Sequence, residues 1–177
     1  DAINPPDFYH SPLTTLVSLE NTTNKGGGAC YEMLDLLGIR KVCDKHGLKY
    51  HLDGARIWNA LVAKNQDPLH YGKLFDTISV CFSKGMGAPV GSVLVMSEKD
   101  YPKALRIRKV LGGGMRQAGF LAGAAIYALE NNLERLTEDH RRAKELGKVL
   151  KGLNWIQSVE PVETNIVIFS VKPTIQD

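Results

Sequence analysis

Short apolar runs rich in β-branched residues recur along this chain, and between them apolar residues return every three or four positions. Leu16-Val17-Ser18-Leu19, Lys49 to Leu52, Asp76 to Phe82 and Gly91 to Met96 read as strands. Tyr31, Leu34, Ile39, Val42 and Cys43 recur at helical spacing, with Gly47 placed to stop that helix. Ile57 to Lys64 reads as a short helix, and Asp67-Pro68 opens a turn. Pro5, Pro6 and Pro12 make the first stretch an irregular arm. The alternation predicts an α/β fold, a mostly parallel sheet flanked by helices on both faces.

The second half changes character. Lys103 to Val110 reads as a helix, broken by Gly112-Gly113-Gly114. From Gln117 to Leu150 the pattern predicts one or two long helices, with Leu121, Ala125, Leu129, Leu133 and Leu136 as an apolar stripe. Trp155 to Val159 and Ile166 to Val171 then read as strands. The expected division is residues 1–130 as part of a large domain, and residues 131–177 as a connecting helix and the start of a smaller α/β domain. With no initiator Met and an end soon after Val171, the chain is expected to be a piece of a longer polypeptide.

Composition narrows the classes. At 44% hydrophobic and 23% charged, the 177 residues describe an ordinary globular protein. A net charge of +3 is mild and gives no nucleic-acid footprint, and the densest basic stretch, Lys103 to Lys109, reads as a solvated helix face. No apolar run approaches the ~20 residues that cross a bilayer. The first residues carry neither the basic nor the apolar region of a signal peptide. Cys30, Cys43 and Cys81 are odd in number and set in apolar context, which predicts reduced, buried thiols in a cytoplasmic protein.

The chemistry concentrates at two strand ends. Lys84 follows the run Thr77 to Phe82 and is hemmed in by Ser83, Gly85, Gly87 and Pro89. A lysine there is expected to be desolvated, to lose its proton and to attack a carbonyl carbon. Tyr50-His51-Leu52-Asp53 ends another strand in a carboxylate, with Arg56 three residues on. In parallel sheets ligands collect at the carboxyl ends of strands, so Asp53 and Lys84 are expected to face one crevice. An imine-forming lysine and an acid to hold a pyridinium nitrogen are the groups that pyridoxal 5'-phosphate chemistry requires.

Other motifs are weaker. Three glycine clusters, Gly26 to Gly28, Gly85 to Gly91 and Gly112 to Gly114, lack the P-loop ending, and Val90 stands where a dinucleotide fingerprint needs its third Gly. Each reads as a turn or a close backbone approach. The third is flanked by Lys109 and Arg116, which are either part of a solvated helix face or a pair of cations for a phosphate. The five histidines show no metal-ligand spacing, so no metal site is expected. His51 should share a sheet face with Asp53, as a structural or supporting group. Glu20 and Asp53 form a possible carboxylate pair, but spacing alone does not bring them together.

Three segments carry a family resemblance: Leu52-Asp53-Gly54-Ala55-Arg56-Ile57-Trp58-Asn59-Ala60, Ser83-Lys84-Gly85-Met86-Gly87-Ala88-Pro89-Val90-Gly91-Ser92 and Arg108-Lys109-Val110-Leu111-Gly112-Gly113-Gly114-Met115-Arg116-Gln117. In this order they closely resemble the low-specificity L-threonine aldolases of the aspartate-aminotransferase-like superfamily. The resemblance implies the large domain of a fold-type I pyridoxal phosphate enzyme. It implies aldol cleavage of L-threonine or L-allo-threonine to glycine and an aldehyde. Lys84 would hold the cofactor as an imine, and Asp53 would meet its ring nitrogen. Arg56 would meet the substrate carboxylate or the cofactor's phenolic oxygen.

Lys109 and Arg116 would reach the phosphate held by a neighbouring subunit of a homodimer or homotetramer with shared sites. Thr23 stands where the family segment Glu-Asn-Thr-His-Asn has its His, and its hydroxyl hydrogen-bonds but is a poor base near neutral pH. The family's longer chains imply that a ring-stacking His, a Gly-Thr phosphate cradle and a further carboxylate-binding Arg come from segments outside these 177 residues. The alternatives are a β-eliminating or transaminating enzyme of the same fold, or a non-catalytic piece acting only in assembly.

Overall fold

In the computed structural model, which describes residues 2–173, four strands form one sheet in the order β1-β2-β3-β4. β1 (Leu16–Glu20), β2 (Lys49–Gly54) and β3 (Thr77–Cys81) run parallel, and β4 (Ser92–Met96) is antiparallel to β3. The β1–β2 crossover is α1 (Met33–His46), and the β2–β3 crossover holds α2 (Ile57–Lys64) and α3 (Pro68–Leu74). α1 ends at Gly47, whose φ of 66° lets its N–H return to Asp44 and Cys43. The turn expected at Asp67-Pro68 is instead the start of α3. The Asp67 side chain accepts from Leu69 N at 2.8 Å, and Pro68 occupies the first turn, where its missing N–H costs nothing.

Among the described residues the two faces of the sheet differ in burial. Tyr50, Leu52, Ile78 and Val80 are buried, in one core with Leu36 and Cys43 of α1, Ile57, Ala60 and Leu61 of α2, and Tyr71 and Leu74 of α3. The alternate residues His51, Asp53, Thr77, Ser79 and Cys81 are only half-buried. Period-two alternation fits a sheet with one covered face. β4 is exposed through most of its length despite Val93, Leu94 and Val95. The stripe assigned to α1 is also shifted: Leu34 and Val42 point to solvent, and Leu36 fills the core.

Beyond the sheet lie α4 (Tyr101–Val110), α5 (Gly119–Asn131) and α6 (Leu136–Lys151). The long helical pattern is therefore two helices with a corner at residues 132–135. Ala128 and Leu136 on either side of that corner join the main core, with Ala125 and Leu133 packed against it. α6 leads to β5 (Ile156–Val159) and β6 (Phe169–Val171), an antiparallel pair forming its own small sheet.

One partly exposed charge cluster lies where β2 and β3 begin. Asp76 accepts from Tyr50 N at 2.9 Å, Arg40 Nη1 at 3.0 Å and Lys49 Nζ at 3.0 Å. Burial works against ionisation here, but the hydrogen bonds from Tyr50, Lys49 and Arg40 prevail and hold the carboxyl down at about 2.

Candidate active site

Parallel register sets the site. Glu20 lies opposite Asp53, and Asp53 opposite Ser79, so three strands present a row of polar side chains on the open face near their carboxyl ends. Asp53 Oδ1 accepts from Ala55 N at 3.0 Å and lies 3.5 Å from Ser79 Oγ. Its Oδ2 makes no hydrogen bond among the described residues and stays available to a donor. One step back, His51 Nδ1 sits 2.8 Å from Thr77 Oγ1, so His51 does share the Asp53 face.

β2 and β3 approach closely here. A Cβ on Gly54 would stand 2.6 Å from Ser79 O, so only glycine fits directly after Asp53. Trp58, the second residue of α2, donates from Nε1 to Cys81 O at 3.1 Å and pins the helix to the end of β3.

Lys84 lies in the connection between β3 and β4, and its Nζ is 3.9 Å from Cys81 Sγ, the last residue of the half-open row. Lysine and Asp53 row thus occupy the same end of the same sheet. The expected desolvation is not found within this chain: the Lys84 side chain is exposed. The turn buries Phe82, Met86 and Ala88 in the core and leaves Ser83 and Lys84 outside it. Cys81 and Cys30 are half-buried, and Cys43 alone of the three thiols is buried.

Arg56 stands at the start of α2, with Nη1 3.8 Å from Glu20 Oε1. That distance is too long for a hydrogen bond, so the two groups interact only through charge. The carboxylate suggested as Asp53's partner is Arg56's neighbour as well. Thr23 is half-buried in the loop after β1, and its carbonyl accepts from Gly28 N at 3.0 Å. That loop is tied to the segment before β6: Thr164 Oγ1 donates to Gly28 O at 2.7 Å, and the Thr164 side chain is wholly buried.

Lys109, in the last turn of α4, and Arg116, in the loop beyond, are both exposed. Neither forms a salt bridge among the described residues. Between them Gly113 N returns to Arg108 O at 2.8 Å. The turn therefore presents two cations that nothing in the described chain neutralises, close to neither Asp53 nor Lys84 in sequence. Among the described residues no group of three or more His, Cys, Asp or Glu side chains could hold a metal ion, and no helix is long and apolar enough to cross a membrane.

Sequence reading gave no role to Ser79, Asn59, Asn132 and His140. Ser79 was legible as a polar residue at the alternate position of a buried strand. The other three acquire partners only through packing.

A lysine just beyond one strand end and an aspartate at another lie at the same end of a mainly parallel α/β sheet. The chain belongs to the beta-eliminating lyase family, whose model matches residues 1–174. The low-specificity L-threonine aldolase 1 of Arabidopsis thaliana is 43% identical over 166 residues, 93% of this chain and 46% of that protein. The low specificity L-threonine aldolase of Saccharomyces cerevisiae is 41% identical over 169 residues, 95% of this chain and 43% of that protein. The chain thus spans under half the length of these curated relatives. Among solved structures, a Leishmania major threonine aldolase superposes with a TM-score of 0.77 at 24% identity, over 93% of this chain and 48% of that one. A cystathione gamma lyase from Micromonospora echinospora superposes with 0.65 at 18% identity, over 97% and 48%. These superpositions establish the fold as that of the threonine aldolases and their lyase neighbours.

Proposed function

We propose that this chain contributes to a pyridoxal 5'-phosphate-dependent lyase that cleaves L-threonine, L-allo-threonine and related β-hydroxy-α-amino acids to glycine and an aldehyde. The observation that carries the reading is the row Glu20, Asp53 and Ser79 on the open sheet face, with Lys84 just beyond Cys81 at the same end.

The residues fit the cofactor. Asp53 is oriented through Oδ1 by Ala55 N–H and the Ser79 hydroxyl, which leaves Oδ2 to hold a protonated ring nitrogen. A carboxylate beside that nitrogen favours its charged form. Lys84 carries a free amine on the same side and would supply the covalent attachment. Lys109 and Arg116 form the dianion site of the scheme, serving a phosphate on a neighbouring subunit of a homo-oligomer.

When bound, pyridoxal phosphate supplies the electron sink for the Cα–Cβ bond that breaks. Arg56 holds the substrate carboxylate with donors that Glu20 leaves unused, which orients the amino acid for cleavage. The hydroxyl of Thr23 contributes a hydrogen bond near the substrate hydroxyl. It does not act as a base near neutral pH. Lys84, once its amine is free, would be available to carry a proton at the same end of the sheet.

The family description favours one second reading, β-elimination, and product analysis separates the two. Incubation of the complete protein with threonine and pyridoxal phosphate is expected to release glycine and acetaldehyde in equal amounts. Ammonia and a 2-oxo acid without glycine would establish the eliminating reading instead.

A further inference from the structure

The turn that carries Lys84 is built against a distant corner of the chain. Inside the turn, Gly87 N donates to Lys84 O at 2.8 Å and Ala88 N to Phe82 O at 3.1 Å. The carbonyl of Met86, a residue 1% exposed, is satisfied from outside: Asn132 Nδ2 donates to it at 2.7 Å. The fit around this bond is close. Gly87 has a φ of +75°, and a Cβ there would stand 3.4 Å from the same Nδ2. A Cβ on Gly85 would stand 2.8 Å from Leu136 Cδ2 and 3.8 Å from Asn59 Nδ2. Asn59 is held in turn: its Oδ1 lies 3.0 Å from Nε2 of buried His140.

Asn132 is the last-turn neighbour of Asn131, and the two amides do different things. Asn131 Nδ2 donates to Tyr127 O of its own helix at 2.8 Å. Asn132 leaves its helix and reaches across to the lysine turn.

We propose that Asn132 is a positioning residue for Lys84. Its amide fixes the Met86 carbonyl, two residues beyond the lysine. With Leu136 and the Asn59–His140 pair it sets the backbone from which Nζ reaches the reacting carbon. The inference rests on the reading of Lys84 as the point of covalent attachment. The physical reason is that Lys84 is exposed on a long flexible stem, so side-chain packing does not place its amine. The turn must do so, and a misplacement of about 1 Å is enough to cost a hundredfold in rate.

The test uses the complete protein with Asn132→Asp, Asn132→Ala and Asn131→Asp. The Asp variant keeps the shape but sets an acceptor against the Met86 carbonyl; the Ala variant removes the donor without adding charge. Without cofactor, hydrogen–deuterium exchange of the peptide holding Gly87 and Ala88 is expected to quicken in both Asn132 variants and not in Asn131→Asp. With pyridoxal phosphate added, attachment is followed by absorbance, borohydride trapping and peptide mapping.

Attachment at Lys84 is expected to slow about tenfold or more, the cost of an unpaired buried acceptor. kcat should fall similarly, with KM for threonine within about twofold, since the lost interaction acts on the reacting geometry and not on ground-state binding. Exchange, attachment rate and kcat all at wild-type level in both Asn132 variants would overturn the proposal. Quickened exchange alone, with normal attachment and kcat, would overturn it too, leaving a purely structural role. Trapping at a different lysine in the wild type would overturn the reading of Lys84 itself, and this inference with it.

Discussion

Asp53 and Ser79 face each other across adjacent parallel strands, with Ser79 Oγ 3.5 Å from Asp53 Oδ1. The contact is long, whereas Ala55 N holds the same oxygen at 3.0 Å. The backbone therefore orients the carboxylate and the serine adjusts it. Asp53→Asn is expected to let the cofactor attach at Lys84 while slowing cleavage by orders of magnitude, because the charge that stabilises the protonated ring nitrogen is gone. Ser79→Ala is expected to change kcat/KM by less than about tenfold, the worth of one neutral hydrogen bond. Single-turnover kinetics of both variants decides the ranking; near-normal cleavage by Asp53→Asn would refute the role.

Lys84→Ala should abolish the borohydride-trapped adduct. The side chain is exposed, with its amine 3.9 Å from Cys81 Sγ. Peptide mapping after reduction identifies the labelled lysine, and label on any other residue contradicts the assignment.

The cations flanking Gly112-Gly113-Gly114 make a separate prediction. A surface charge with no ligand tolerates removal within about ±0.5 kcal/mol. A charge-assisted phosphate contact is worth roughly 1.5–3 kcal/mol, about tenfold to a hundredfold in affinity. Cofactor titration of Lys109→Ala and Arg116→Ala is expected to show the larger loss. If sites are shared, mixing Lys84→Ala with Arg116→Ala subunits should restore activity, because some interfaces combine two intact halves.

Two groups make stability depend on pH in different windows. The Asp76 carboxyl is held at about 2, below its ordinary 3.8. Its stabilisation is therefore full above the ordinary value and is lost as pH falls from near 4 through about 2. Asp76→Asn should lie below the wild type at neutral pH and converge with it under acid. Burial, then Lys144, depress His140 below its ordinary 6.5, with Asp139 opposing. The unfolded chain binds that proton first, so stability should begin to fall as pH drops through 6.5. His140→Gln should flatten that limb of a urea-midpoint profile measured against pH.

Packing predicts large effects at two remote positions. Leu136 is fully buried against the lysine turn, and Leu136→Ala is expected to cost about 2–5 kcal/mol. A Cβ on Gly28 would overlap Thr164 Oγ1, and its φ of +74° disfavours any side chain, so Gly28→Ala should destabilise the protein more than Thr164→Ser, which keeps the hydroxyl and loses one buried methyl worth about 1 kcal/mol. Denaturant unfolding of the three variants measures both.

Much of the site was legible because its signals are local. The run ending in Lys84 and the strand ending in Asp53 each announce a strand carboxyl end, and parallel topology brings such ends together. The period-two alternation of His51 and Asp53 was visible too. The missed pieces are the ones without local pattern. Asp67-Pro68 starts a helix and not merely a turn, since N-cap and turn chemistry use the same residues. The apolar stripe of α1 was placed on Leu34 when Leu36 is the buried position.

The sequence alone determined the alternation of strands and helices, the strand-end placement of Asp53 and Lys84, and the cations around Gly112 to Gly114, since each depends on residues near one another along the chain. Tertiary structure decided which face of the sheet is open, that Glu20 stands beside Asp53 and near Arg56, and that the lysine turn rests on Asn132. Those relations depend on strand register and on a helix corner folding back over the turn. Register and corner are fixed by burial of Leu52, Ile78 and Leu136 in a common core, a property of the whole packed chain and of no single segment.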